Sequence, residues 1–296
     1  MIGNNKTSNR YFIPMLVAAS AVFTFTGVHV GATEDASVEP QAVKADDSRH
    51  VSGRLIAYTT PVGASEVNAG AIKPYAARWT TPRGGVFEET LEAVDGATWK
   101  HTQILSRTTD GDAVKVATET RTLSRDDLRS LSWARTHHIE SPNLPFKDVA
   151  TEVRADGLFG EMTTIDGEKA PFNSPLPMPV FDGWIAGIAI AALPLKEGYW
   201  ASLPTATYIF KGVHHITLRV VGRETLKTPQ GEDIDTWKVE AEWVDLGSGD
   251  IYEPGAEGTG GVYHMAVEPG GGVPYVVKYE AQSNPIMWDG VRLPTP

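Results

Sequence analysis

The chain has 296 residues, 41% hydrophobic and 21% charged, a globular balance with material for one large core or two small ones. It has no cysteine, which excludes disulfide cross-links, thiol catalysis and attachment of lipid to a cysteine. A formal net charge of −11 argues against nucleic acid and anionic lipid headgroups as partners, and no basic run offsets it.

The N-terminus carries Lys6 and Arg10 and then YFIPMLVAASAVFTFTGVHVGA, which has no charged residue and ends in the small residues Val30, Gly31 and Ala32. A basic start, an apolar stretch and a small-residue end predict a cleaved export signal over residues 1–32 and a periplasmic destination. About 20 apolar residues also suffice to cross a bilayer, so a retained segment is the alternative and the one expected membrane contact. Cleavage removes two bases and no acid, taking the net charge from −11 to −13. Residues 33–50, TEDASVEPQAVKADDSRH, are polar and acidic without apolar period and predict a flexible leader. Residues 51–296 are expected to form a single domain.

From Val51 onward, short alternating segments rich in Val, Thr, Ile, Trp and Tyr are separated by turn residues. Strands are predicted near 54–60, 86–94, 98–107, 113–123, 131–140, 148–155, 158–165, 206–213, 214–222, 236–244, 260–267 and 274–281. Asp-Gly pairs at 95–96, 110–111, 156–157, 166–167, 182–183 and 289–290 suit tight hairpins, whose central positions need positive φ. So many strands joined in sequence predict an all-β chain with one antiparallel, strongly curved sheet, a half-open barrel. One segment breaks the pattern. Trp184 to Leu195 is uncharged, rich in Ala and Ile, preceded by Asp182 and punctuated by Pro194. As a helix it would be about 18 Å long against a hydrocarbon core of about 30 Å, so it cannot span a membrane. It is apolar on every face, which predicts a buried helix near 183–194 inside the hollow of the sheet.

The stretches ALPLKEGYWASLP (192–204), VVGRETLKTPQGEDIDTWKVEAEW (220–243), PYVVKYEAQ (274–282) and LSRDDLRSLSWARTHHIE (123–140) resemble a family of exported bacterial proteins of unknown function. The likeness covers roughly residues 120–282. It implies the open β-barrel of the Lol-type lipoprotein carriers and, by analogy, an apolar envelope ligand. No catalytic residue is implied.

Two histidine pairs interrupt this plan. Alternation places His137 with Leu131, Trp133 and Ile139, and His214 with Ile216, Leu218 and Val220. His101 falls with Trp99 and Leu105. These three histidines either converge in the hollow as metal ligands or bases, or are ordinary core histidines. His138, Glu140 and His215 form the alternative set on the other face, with solvent exposure as the simple expectation there. Glu240 and Glu242, opposite Trp237 and Trp243, predict a solvated outer face. No metal-binding spacing, no Gly-x-Ser-x-Gly and no phosphate loop occurs.

The aromatic set offers either a core or a pocket for an apolar ligand beneath the helix. The candidate ligand-binding residues are Trp99, Trp133, Trp184, Tyr199, Trp200, His137 and His214, with no catalytic residue, metal or cofactor expected. The sequence therefore predicts an exported, soluble, non-catalytic envelope protein that binds or chaperones an apolar, lipid-like ligand. The alternative is a metal-assisted hydrolase or lyase using the paired histidines.

Overall fold

Alternation decides the architecture. In ATETRTLS (117–124) every second side chain, Ala117, Glu119, Arg121 and Leu123, is buried, while the threonines between them are only half covered. The computed structural model describes residues 49–51, 54–56, 66–81, 84–109, 112–139, 146–176, 179–206, 213–228, 231–244, 260–267, 275–281 and 290–293. The export signal and nearly all of the leader lie outside the described residues.

A small hairpin pairs β1 (Arg49–Val51) with β2 (Arg54–Ile56). The remaining strands form one 15-stranded sheet. A meander runs through β3 (Tyr75–Thr80), β4 (Gly85–Ala93), β5 (Thr98–Thr109), β6 (Asp112–Ser124), β7 (Ser130–His137), β8 (Asp148–Arg154), β9 (Gly157–Thr163) and β10 (Lys169–Pro175) to one edge. The chain then crosses to the other edge, forms β11 (Phe181–Asp182) and α1 (Ala186–Ala191), and enters β12 (Trp200–Ala206). It returns through β13 (His214–Lys227), β14 (Asp233–Val244), β15 (Gly260–Ala266) and β16 (Tyr275–Ala281) to β17 (Gly290–Leu293), which pairs with β3.

Turn chemistry is only partly as expected: among the described Asp-Gly pairs only Gly167 has a positive φ and no aspartate does, so the doubly positive turn does not form. Asp95 accepts the backbone N–H groups of Ala97 and Thr98, each at 2.7 Å, and Gly167 adopts φ +87°. Asp182-Gly183 makes no hairpin: it opens the helical segment. The pairs at 110–111 and Asp289 lie outside the described residues.

Most predicted strands are present, with three kinds of difference. β1, which takes Arg49 and His50 out of the expected leader, and β3, β10, β11 and β17 were not foreseen. β10 holds Pro171 and Pro175, which an edge strand tolerates because one side of its ladder needs no donor. β12, Trp200–Ala206, was not expected, and the strand expected at 206–213 falls almost wholly on residues 207–212, outside the described residues. Pro204 is accommodated in β12 because β11 pairs only with Thr205 and Ala206. The sheet is also mixed rather than wholly antiparallel: β11 runs parallel to β12, because α1 carries the chain back between them as a crossover.

The curl of the sheet can be measured. β6 and β11 stand ten places apart in the strand order, so a flat sheet would separate them by roughly 48 Å at about 4.8 Å per strand. Yet Arg121 Nε on β6 lies 2.8 Å from Asp182 Oδ2 on β11. The sheet is a half-barrel, and the segment that crosses between its edges closes down on β6 and β7.

The apolar rod fills the hollow. Gly183–Ile185 forms a 3-10 turn, capped by Asp182 Oδ1 accepting Trp184 N–H at 2.8 Å, and α1 follows. The rod is shorter than the expected 183–194, because Ala192 and Leu193 close it with i→i+3 bonds before Pro194. Ala186, Ile190 and Ala192 are at most 1% exposed and pack with Phe181, Leu203, Ile216, Leu218, Val220, Val239 and Met265. Gly187 lets α1 approach β16: a Cβ there would meet Val276 Cγ2 at 2.5 Å. No helix among the described residues is long and apolar enough to cross a membrane.

Candidate functional site

The crossing segment, residues 179–182, is fastened to β6, β7 and the turn between them by successive contacts. Arg129 donates to the Pro179 carbonyl at 2.5 Å and lays its guanidinium 4.2 Å from the Phe181 ring centre. Ser130 N–H donates to the Val180 carbonyl at 3.1 Å, and Arg121 bonds Asp182. Beneath this strap lies a crevice lined by Ser130, Trp133, Val153, Leu158, Val180, Asp182 and Ala206. It has about 310 Å³ of free space counted out to its open mouth, but its cavity is only about 20 Å³, room for a water molecule. Its walls belong to a second apolar cluster, which adds Phe146, Val149 and Phe172 and packs against Trp184 and Val213.

The sequence-predicted residues divide between several places. Trp133 lines the crevice and Trp184 packs on the same cluster. Trp99, 2% exposed, belongs instead to the core under α1, with Arg125 4.6 Å over its ring. Tyr199 packs on that core too, and burial pushes its hydroxyl pKa up to about 12. Trp200 opens β12 on the opposite face of the sheet, 5.4 Å from the Arg219 guanidinium.

His137, at the end of β7, lies 5.3 Å from the Phe146 ring. Burial, helped by the Arg135 charge, pushes its pKa down to about 4. His214 is buried at the start of β13, where Thr205 donates to its carbonyl at 3.0 Å. The histidine trio does not assemble. His101 pairs with Arg121 and His137 with Ala117, four residues apart on β6, or about 13 Å along the strand. Among the described residues no three His, Asp or Glu side chains stand close enough to share a metal ion.

On the outer face, His138 is exposed and sits 2.8 Å from Thr118 Oγ1, while Glu140 is outside the described residues. His215 and Glu242 correct the expectation of solvated outer residues. Both are 2% exposed, and His215 Nδ1 lies 2.8 Å from Ser202 Oγ. The β1–β2 hairpin lies against β13 and β14. Leu131 also departs from the predicted face. A bulge at Thr122/Leu123 brings Ser130 inward and leaves Leu131 39% exposed.

A chain of charges behind the crevice was missed by sequence reasoning. Arg135 Nη1 donates to Glu119 Oε1 at 2.6 Å, Glu119 also accepts from Arg121, and Arg121 reaches Asp182. Burial alone would raise the Glu119 pKa, but the two guanidiniums outweigh it and hold the carboxyl below its usual range. Farther along the same face, His101 Nε2 is 3.6 Å from Glu89, whose carboxyl is likewise held down against its burial. The signal was available: alternation in ATETRTLS places Glu119 and Arg121 on the face of Ala117 and Leu123.

Neither the curated proteins nor the solved structures hold a significant match to this chain. Residues 147–286, from the approach to β8 to beyond β16, match the model of a family described as a protein of unknown function (DUF3108), which bears out the expected uncharacterised family over nearly the stretch of the resemblance.

Proposed function

We propose that this chain is an exported, non-catalytic envelope protein that binds an apolar ligand, built on a half-barrel of the lipoprotein-carrier kind. The observation that carries the reading is the crevice under the crossing segment. Five of its seven lining residues, Trp133, Val153, Leu158, Val180 and Ala206, are apolar, and its mouth is open. It lies where no strand ladder joins the sheet edges, since β10 and β11 end the strand order. An apolar chain that enters there exchanges water for Trp133, Leu158 and Val180, gaining about 25 cal/mol for each Å² buried. The closed cavity is small, so entry requires the strap and the β8–β9 hairpin to part by a few ångströms. The uncharged stretch before Ala32 supports the compartment.

The test is titration of the purified full chain with the neutral fluorophore N-phenyl-1-naphthylamine. Saturable binding that disappears in Ala206→Phe, which fills the crevice with a benzyl group, is expected. Binding that is absent, or that survives this substitution unchanged, overturns the assignment.

A further inference from the structure

The crevice is not wholly apolar, and its two polar lining groups restrict what can occupy it. Ser130 is 8% exposed, and its Oγ has no hydrogen-bond partner among the described residues although its N–H is bonded to Val180. Asp182, also 8% exposed, presents a carboxylate already bonded to Arg121 and to the Trp184 N–H. Facing the crevice with no protein partner, this hydroxyl is available to whatever occupies it.

The geometry points to a ligand with one apolar chain and an uncharged, hydroxyl-bearing head, the head meeting Ser130 and Asp182 and the chain running between Trp133, Leu158 and Val180. This rests on the crevice being the ligand site. An ionised carboxylate only accepts, whereas a serine hydroxyl donates or accepts, so their joint complement is a group that does both. A carboxylate or phosphate head would bring only acceptors and a second negative charge against Asp182. An ammonium head fares no better, because Arg121 already neutralises Asp182 and would itself repel the newcomer. A hydroxyl satisfies both groups without bringing in charge.

The experiment compares a monoacylglycerol with the free fatty acid of the same chain length, each competing with N-phenyl-1-naphthylamine on the full chain at pH 7. The monoacylglycerol is expected to bind at least tenfold more tightly. Ser130→Ala is expected to weaken it by roughly five- to tenfold, the worth of one neutral hydrogen bond, and to narrow its advantage over the fatty acid by the same factor. The variant folds as well as the parent if the hydroxyl has no structural partner, and thermal unfolding checks that. Equal binding of the two lipids, tighter binding of the fatty acid, or indifference to Ser130→Ala overturns the head-group inference and leaves the crevice standing as an apolar site. Failure of the fluorophore itself to bind removes both.

Discussion

At the scale of single residues, the interior mixes charge with apolar packing. Arg121 is 1% exposed and holds Glu119 and Asp182 together, so two acids 63 positions apart in sequence share one guanidinium. Removing one partner from such a group leaves an uncompensated buried charge, which is why it fixes the position of the crossing segment. The buried histidines add a dependence on pH. The depressed His137 pKa, about 4 against an ordinary 6.5, means that the unfolded chain takes up a proton which the folded chain refuses. The stability that this refusal represents is full above pH 6.5 and is lost as pH falls towards 4. The buried carboxylates Glu89 and Glu119, held low, lose their contribution at more acid pH, below the ordinary carboxylate range. Urea unfolding at pH 7, 5.5 and 4.5 is expected to show declining stability, with a shallower decline for His137→Phe. An identical pH slope in that variant would remove His137 from the account.

At the scale of elements, α1 is defined by closeness. A methyl group at position 187 would collide with Val276 Cγ2, so Gly187→Ala is expected to destabilise the fold by about 1–3 kcal/mol, the usual cost of overpacking. Val276→Ala should recover most of that loss in the double variant, and purely additive effects of the two changes would show that the contact does not matter. Elements were the most legible feature of the sequence. Alternation gave β4, β5, β6, β8 and β9 to within a residue or two, and β7 except for its end, which falls three residues early. The apolar rod after Asp182 was placed in the hollow, where it lies. What stayed hidden depends on partners distant along the chain. β12 was not read from the sequence, and Pro204 fits within it because β11 pairs only beyond it, at Thr205 and Ala206. The crevice shows the same limit. Trp133 and Trp184 were named from their chemistry, but Ser130, Leu158 and Val180 meet only because the sheet curls, and the inward turn of Ser130 comes from a bulge that no local pattern announces.

At the scale of the whole molecule, the order of strands sets the order of assembly. β3 begins the meander but lies in the middle of the sheet, and its second neighbour is β17, roughly 210 residues later, where Val291 pairs with Thr80. Four residues, Gly290–Leu293, join the two halves. Deleting residues 290–293 is expected to open a bare edge on both β3 and β16 and to replace one calorimetric transition with two, or with aggregation. A single transition at the parent temperature would show that the halves are held together by the hollow alone. In the intact chain, the early strands must wait with an unpaired flank until β17 has been made. Contacts this remote are slow to form, and a waiting edge recruits strangers. The topology therefore rewards a chain that is kept unfolded by a companion until its synthesis has passed β17, and penalises one left to fold as it emerges.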